Sequence, residues 1–258
     1  MTQPKILTLD IETAPHLVYV WNLEVNYVAP SFIKEEAYIL MWAAKWLHEK
    51  KVYSDTLINY PSVFKKEPRN SFHIVKSLWK LMDEADIIVG QNSNHFDLRW
   101  LNFMFVKYGI EPPSPYKTVD TKLFASKNML IASTKLEYMT KSMNLVEHKS
   151  SPGGFSTWLG CMAGDKKAWD KMEKYCKQDI IATEELYKKF RPYIPNHPNM
   201  NFYLQGDEVC VNCGSPDLQK KGLVYLKTNI YQRFRCKACG HKMRSRKSCD
   251  TQRVKLVS

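Results

Sequence analysis

Short apolar runs alternate with stretches of helical periodicity through the first two thirds of the chain. The apolar runs at 5–9 and 38–44 predict strands, and near-continuous apolar character such as that of the first is typical of strands covered on both faces. A third strand is predicted around 51–57. Strands that give way to helices indicate an α/β or α+β domain. Further strands are predicted at 86–90 and 118–120, and helices at 72–85, 95–108, 135–143 and 166–190.

A proline-punctuated segment follows the last predicted helix. Pro192, Pro195 and Pro198 predict that this helix ends and that 191–199 is a linker. We therefore expect one domain over residues 1–198 and a smaller module over residues 199–258.

Positive charge is concentrated in the second module. The chain carries a formal net charge of +12, and residues 207–258 hold 12 Lys and Arg against 4 Asp and Glu. Such a basic appendage favours a polyanionic partner, most often nucleic acid. A solvated Lys-rich surface is the alternative, which we favour only for the first 206 residues.

Targeting signals are not evident in the sequence. No N-terminal stretch has the basic start, apolar run and cleavage site of a signal peptide. No apolar run approaches the roughly 18 residues of a membrane span. We expect a soluble, intracellular, cytoplasmic protein without a membrane partner.

Two acidic side chains, Asp10 and Glu12, follow the first apolar run. Residues two apart on a strand project from the same face, so these carboxylates share one site. Like charges this close are costly unless a cation lies between them. A divalent metal site and a pair of solvated acids at a strand edge are both compatible with the pattern.

Further polar residues follow in a definite order. Asp97 falls in the first turn of a helix, where an aspartate also commonly stabilises the helix start. Tyr175 and Asp179 are four residues apart on a helix and therefore share a face. The complete ordered set is Asp10, Glu12 and Thr13, then Asn92, Phe96 and Asp97, then Tyr175 and Asp179.

This ordered set resembles the motifs of the DEDD superfamily of 3′–5′ exonucleases, over roughly residues 5–190. Asn92 with Phe96 and Asp97 is similar to the second motif of family-B DNA polymerase proofreading domains. Tyr175 matches the tyrosine subgroup, since the position that the histidine subgroup requires is Lys174. The resemblance implies a ribonuclease H-like fold, with a mixed central sheet flanked by helices.

The resemblance also implies roles for these residues. Asp10, Glu12, Asp97 and Asp179 would hold two divalent ions, and oxygen-only ligands favour Mg²⁺ or Mn²⁺. Two such ions about 3.5–4 Å apart stabilise the attacking and leaving oxygens of phosphodiester hydrolysis. Tyr175 would orient the attacking water, while Asn92, Phe96 and Thr13 would place the terminal nucleotide. Asp120, at a strand end, is expected to be structural.

Three aromatic residues, Tyr19, Trp21 and Tyr27, follow the first motif. They either pack in the core or in a flap, which we favour, or stack on the bases of a single strand.

Four of the seven cysteines form two Cys-x-x-Cys-Gly knuckles 22 residues apart, with cysteines at Cys210, Cys213, Cys236 and Cys239. This spacing predicts a closed, structural Cys₄ zinc ribbon. Arg233 and Arg235, beside aromatic residues between the knuckles, are candidate nucleic-acid contacts. A protein-docking or purely folding module is the alternative.

Together these features predict a metal-dependent 3′–5′ exonuclease acting on nucleic acid, with single-stranded DNA preferred. A 3′–5′ exoribonuclease and a non-catalytic nucleic-acid-binding protein are the alternatives. The expected cofactors are two Mg²⁺ or Mn²⁺ ions and one structural Zn²⁺. A replication or repair role, with proteins of those processes as partners, in a phage or bacterium is a further expectation.

Overall fold

The computed structural model describes residues 4–145, 153–204 and 208–249. The chain divides into two compact units, Lys5–Leu186 and a second that begins at Tyr187. The first contains a five-stranded mixed sheet, and the second contains a three-stranded antiparallel sheet.

The first unit places its five long strands in the order β5-β4-β1-β6-β7. A two-stranded hairpin, β2 and β3, stands outside this sheet. The strands of the first unit are β1 (Ile6–Ala14), β2 (Leu17–Val18), β3 (Ile33–Glu35), β4 (Tyr38–Trp46), β5 (Tyr53–Thr56), β6 (Ile87–Gly90) and β7 (Lys117–Asp120).

Seven α-helices accompany these strands in the part of the chain that the structure describes. The chain passes from the sheet into a mainly helical second half, as the periodicity predicts. The helices are α1 (Pro61–Lys66), α2 (Phe72–Asp83), α3 (Asp97–Tyr108), α4 (Thr121–Asn128), α5 (Leu136–Ser142), α6 (Phe155–Met162) and α7 (Lys166–Phe190).

The central strand, β1, sets the geometry of the sheet. It pairs antiparallel with β4 and parallel with β6, which in turn pairs parallel with β7. Its first four residues are buried, as expected for a strand covered on both faces. Because β1, β6 and β7 run in parallel, their carboxyl ends lie at the same edge of the sheet.

Helix packing follows the 3.6-residue period. The apolar face of α7 buries Trp169, Met172, Cys176 and Ile180 in the main core. Spacings of three and four residues place these side chains on one face of the helix. This packing fixes the rotation of α7 about its axis. No helix in the described ranges is long and apolar enough to cross a membrane.

The second unit contains β8 (Leu218–Tyr225), β9 (Ile230–Cys236) and β10 (Lys242–Arg244), with β9 in the centre. The guanidinium of Arg191 donates two hydrogen bonds to the carbonyl of Asn212, whose amide donates to the carbonyl of Arg191. These bonds tie the segment after α7 to the first knuckle. The tail of the predicted basic module, residues 250–258, lies outside the described residues.

Candidate active site and metal centres

The predicted acids meet at the carboxyl ends of the parallel strands. Asp10 and Glu12 lie on β1 just beyond its pairing with β6, and Ile11 between them points into the core. Asp97 is the first residue of α3, and one of its carboxylate oxygens accepts a hydrogen bond from the backbone N–H of Ile11 at 2.9 Å. This bond fixes Asp97 against β1.

Helix α7 brings the last two predicted residues to the same place. The charges of Asp97, Glu12 and Asp179 all act on Asp10, so the four carboxylates occupy one site. The hydroxyl of Tyr175 donates a hydrogen bond to Asp179 and lies near Glu12 and Asp10. The structure therefore assembles all five residues of the predicted catalytic set.

Burial and mutual repulsion dominate the electrostatics of the carboxylate cluster. Burial, followed by the charges of Asp179 and Asp97, raises the pKa of Glu12 to about 8. Burial raises the pKa of Asp97 to about 7, even though the N–H of Ile11 favours its charged form. The pKa of Asp10 is raised by burial and by the other three acids. A cation placed among these carboxylates would offset the repulsion between their negative charges and favour their ionised forms.

The donor set fits hard divalent ions. Oxygen atoms from Asp10 and Glu12 and the Sγ of Cys176 lie within 4.8 Å of one another. Carboxylate oxygens are the ligands that Mg²⁺ and Mn²⁺ prefer, whereas a thiol is not. The residues present therefore fit divalent ions held by carboxylates.

Cys176 was not singled out by the sequence analysis, yet it is part of the site. It is fully buried, and its thiol donates to an oxygen of Asp10 at 3.6 Å. Burial and the nearby carboxylates raise the pKa of this thiol well above its ordinary value, so it remains a neutral donor. The available signal was helical spacing, because Cys176 lies three residues before Asp179 on α7.

A pH dependence follows from these pKa shifts. An unfolded chain ionises Glu12 near pH 4.5, whereas the folded protein without Mg²⁺ or Mn²⁺ keeps its proton until about pH 8. The folded state thus binds more protons between these values, so its stability falls as the pH rises through this range, by at most about 1.4 kcal/mol per pH unit for one group.

Urea unfolding from pH 4.5 to 8, in zinc but without Mg²⁺ or Mn²⁺, measures this slope. Glu12→Gln should flatten it, and added Mg²⁺ should restore stability at pH 8. Glu173→Gln is the matched control on α7, since the pKa of Glu173 is lowered and its partner is Lys177. A slope unchanged by Glu12→Gln would contradict the assignment.

The turn between β6 and α3 is organised by Asp120, which the sequence analysis expected to be structural. Its carboxylate accepts hydrogen bonds from the backbone N–H groups of Asn92 and Asn94, each at 3.1 Å, and caps α4 through Leu123 at 2.9 Å. Asn92 adopts the left-handed region, with φ of 66°. Asp120 therefore holds the turn that delivers Asp97.

Gly90 is required for the same turn. A Cβ at this position would lie 2.4 Å from the Cβ of Ser93 and 2.5 Å from its Oγ. We expect Gly90→Ala to destabilise the protein by about 1–3 kcal/mol and to displace the start of α3.

A second substitution tests this explanation by thermal or urea unfolding. In Gly90→Ala/Ser93→Gly the clashing atoms are gone, and the remaining contact, the carbonyl of Leu9 at 3.4 Å, is ordinary. Measured against Ser93→Gly alone, the double variant should lose much less free energy of unfolding than Gly90→Ala loses against the unsubstituted protein. Equal destabilisation in both backgrounds would reject a steric cause.

The predicted substrate contacts lie in different environments. Phe96 precedes α3 and is 38% exposed, and Asn92 is half-buried in the same turn. Thr13 follows a bulge in the β1–β4 pairing that separates it from Glu12. Arg233 and Arg235 are exposed on β9, with the buried Phe234 between them. Their contact with substrate remains a prediction.

The aromatic residues after the first motif are not packed in the core. Tyr19, Trp21 and Tyr27 are 65%, 92% and 77% exposed, so packing in the core, one of the two kinds of packing that we favoured, is wrong. Their local surroundings explain the difference, because they lie in the segment between the short strands β2 and β3, where no sheet covers them. Stacking on bases stays a prediction.

The four knuckle cysteines form one cluster in the second unit, with all four Sγ atoms within 4.8 Å of one another. The Sγ atoms of Cys210 and Cys239 are 3.6 Å apart, as are those of Cys213 and Cys236. Four thiolates about 2.3 Å from a tetrahedral zinc ion would be about 3.8 Å apart. The cluster therefore fits a structural Zn²⁺, as predicted.

Hydrogen bonding prepares this cluster for a metal. Hydrogen bonds from the neighbouring thiols, that of Cys210 above all, lower the pKa of Cys213 to about 5, which favours the thiolate form that binds zinc. His241 is occupied elsewhere, since its Nδ1 lies 2.8 Å from the carbonyl oxygen of Pro192.

A mixed sheet with a half-buried carboxylate cluster at the ends of its parallel strands defines a ribonuclease H-like protein. The model of the RNase_H superfamily matches residues 37–191, and the chain belongs to this superfamily. The predicted ribonuclease H-like fold is thereby confirmed. Membership supports a nuclease that acts on nucleic acid and uses divalent metal ions.

A solved structure with a similar fold is that of the family B DNA polymerase from the hyperthermophilic archaeon Pyrobaculum calidifontis. The two are 16% identical, with a TM-score of 0.55, and the match covers 74% of this chain. It covers 25% of the polymerase, so the chain spans about a quarter of that protein. At this identity the likeness concerns the fold. No curated protein sequence matches the chain.

Proposed function

We propose that the protein is a divalent-metal-dependent 3′–5′ exonuclease whose preferred substrate is single-stranded DNA. The observation that supports this most directly is the meeting of Asp10, Glu12, Asp97 and Asp179 in one half-buried site, beside the hydroxyl of Tyr175. A protein that only bound nucleic acid would not need to keep four repelling acids together.

The four carboxylates would hold two Mg²⁺ or Mn²⁺ ions, which supply activation of water and stabilisation of charge on the reacting oxygens. The chain's own residues would do the positioning. Asp97 is held by the N–H of Ile11, and Asp10 accepts from the thiol of Cys176, so each presents its remaining oxygen atoms to the site.

Tyr175 is suited to orienting water rather than to removing its proton. Burial and the charge of Asp179 raise the pKa of its hydroxyl above its ordinary value near 10, so the phenol stays protonated at neutral pH. A neutral hydroxyl can accept a hydrogen bond from the attacking water while it donates to Asp179.

The preference for DNA and for a 3′ end rests on the second motif. Asn92 and Phe96 lie in the turn that carries Asp97, where they would contact the terminal nucleotide. No residue of the motif set by itself selects against a 2′-hydroxyl, so the sugar preference comes from resemblance to proofreading domains.

Product analysis tests the reaction. A 5′-labelled single strand with Mg²⁺ or Mn²⁺ should shorten to a ladder, while a 3′-labelled strand should release labelled mononucleotide in the first turnover. Matched DNA and RNA strands decide the sugar. Release of mononucleotide from the 5′ end, or internal cleavage, would overturn the proposal.

A further inference from the structure

A basic cleft lies within the second unit, between the two knuckles on one side and the end of α7 with the segment that follows it on the other. Its volume is about 930 Å³, and Cys213 and Cys239 form part of its wall. Among the described residues that line it, none is acidic. The cationic residues that line it are Lys188, Lys189, Arg191, Arg235 and Lys242, joined by His241.

The strand register places like charges opposite each other at this cleft. Arg235 on β9 is directly paired with Lys242 on β10, and two residues along the same pairing Arg233 is opposite Arg244. Like charges directly opposite on neighbouring strands destabilise a sheet. An arrangement that costs stability indicates a use, and a polyanion would offset the repulsion.

Local partners distinguish the two pairs. Arg233 donates to the carbonyl of Lys221 at 3.0 Å, and the guanidinium of Arg244 lies 4.0 Å from the ring centre of Tyr231. No described acid forms an ion pair with Arg235, Lys242 or Lys189. The uncompensated charge therefore lies at the cleft.

The zinc site does not account for all of this charge. Four thiolates around one Zn²⁺ carry a formal charge of −2. The five Lys and Arg residues that line the cleft exceed this by three. The cleft therefore keeps a net positive charge even when two of its five cationic side chains are counted against the zinc centre.

We propose that this cleft binds the phosphates of a nucleic-acid strand, with Lys189, Arg235 and Lys242 as its principal contacts. The proposal deepens the proposed function, since it names the surface that would hold the substrate, and it rests on nucleic acid being that substrate. Of the two arginines that the sequence predicts as nucleic-acid contacts, Arg233 and Arg235, only Arg235 lines the cleft. Binding through phosphates is independent of base sequence and sensitive to salt.

Binding is measured on the full chain with bound zinc, in an Asp10→Asn background that keeps the strand intact. Fluorescence anisotropy follows labelled 20-nucleotide oligo-dT and oligo-rU over a series of salt concentrations. Lys189→Gln/Arg235→Gln/Lys242→Gln should weaken binding roughly tenfold or more. It should also reduce the slope of log K against log salt by about 2, because each phosphate contact on a single strand contributes about 0.7.

The matched control removes the same charge elsewhere in the unit. Lys220, Lys221 and Lys227 are exposed and do not line the cleft. Lys220→Gln/Lys221→Gln/Lys227→Gln should therefore change affinity and slope much less. Zinc content and thermal unfolding show that both variants are folded.

Two outcomes would overturn the proposal. Equal losses in the two triple variants would mean that only net charge matters. Competition by polyglutamate of equal charge as effective as that by unlabelled oligonucleotide would assign the cleft to acidic proteins. Because these measurements do not require hydrolysis, they fail or succeed separately from the exonuclease assay.

Discussion

Replacing Asp10 by Asn should abolish phosphodiester hydrolysis, with a fall in kcat on the order of a thousandfold or more. The substitution keeps the shape of the side chain but removes one of four charges that together would hold the divalent ions. It also replaces the carboxylate that accepts the hydrogen bond of the Cys176 thiol by an uncharged amide. When several residues act together in catalysis, removing one of them loses most of the rate enhancement that the whole group provides. Release of mononucleotides from a labelled single strand measures the change.

Asp170→Asn is the matched control for this loss. Asp170 lies on α7, the helix that carries Tyr175 and Asp179, but its side chain is 58% exposed and is paired with Lys166. The control should keep full activity. If Asp10→Asn and Asp170→Asn hydrolysed the strand equally well, the carboxylate cluster would not be the catalytic site.

Replacing Cys236 by Ser should release the zinc ion and unfold the ribbon. Apart from the cluster cysteines, the buried side chains of the described part of the ribbon are Asn212 and Phe234. Such a small core is insufficient alone, whereas a structural Zn²⁺ contributes an apparent binding free energy of roughly 10–16 kcal/mol. Metal analysis and the dispersion of amide signals in NMR spectra measure the loss.

Cys249→Ser controls for the loss of a thiol. Cys249 is exposed and stands outside the four-cysteine cluster. This variant should retain one zinc ion per chain and the signals of the folded ribbon. A Cys236→Ser protein that kept those signals without metal would show that packing, not zinc, maintains the ribbon.

The sequence predicted the main features of the site because spacing carries them. Asp10 and Glu12 are two apart on a strand, and Tyr175 and Asp179 are four apart on a helix, so each pair faces one way by backbone geometry alone. The strands and helices with strong periodicity were found for the same reason.

Other features depend on contacts between distant segments. The role of Cys176 arises from its approach to Asp10, 166 residues earlier, and the precise organising role of Asp120 arises from N–H groups 26 and 28 residues earlier. The hairpin of β2 and β3 and the short helices α1, α4 and α6 were also missed. These elements are short or weakly periodic, so their formation depends on packing against the rest of the fold rather than on the local sequence pattern.

The order of the motifs along the chain has a consequence for biosynthesis. Asp10 and Glu12 leave the ribosome early, whereas Tyr175 and Asp179 lie on α7, the last helix of the first unit. Domains fold as their chains are completed, so a nascent chain shorter than about 180 residues would lack a quarter of the carboxylates and the tyrosine. We therefore expect nuclease activity to appear only once α7 has been synthesised.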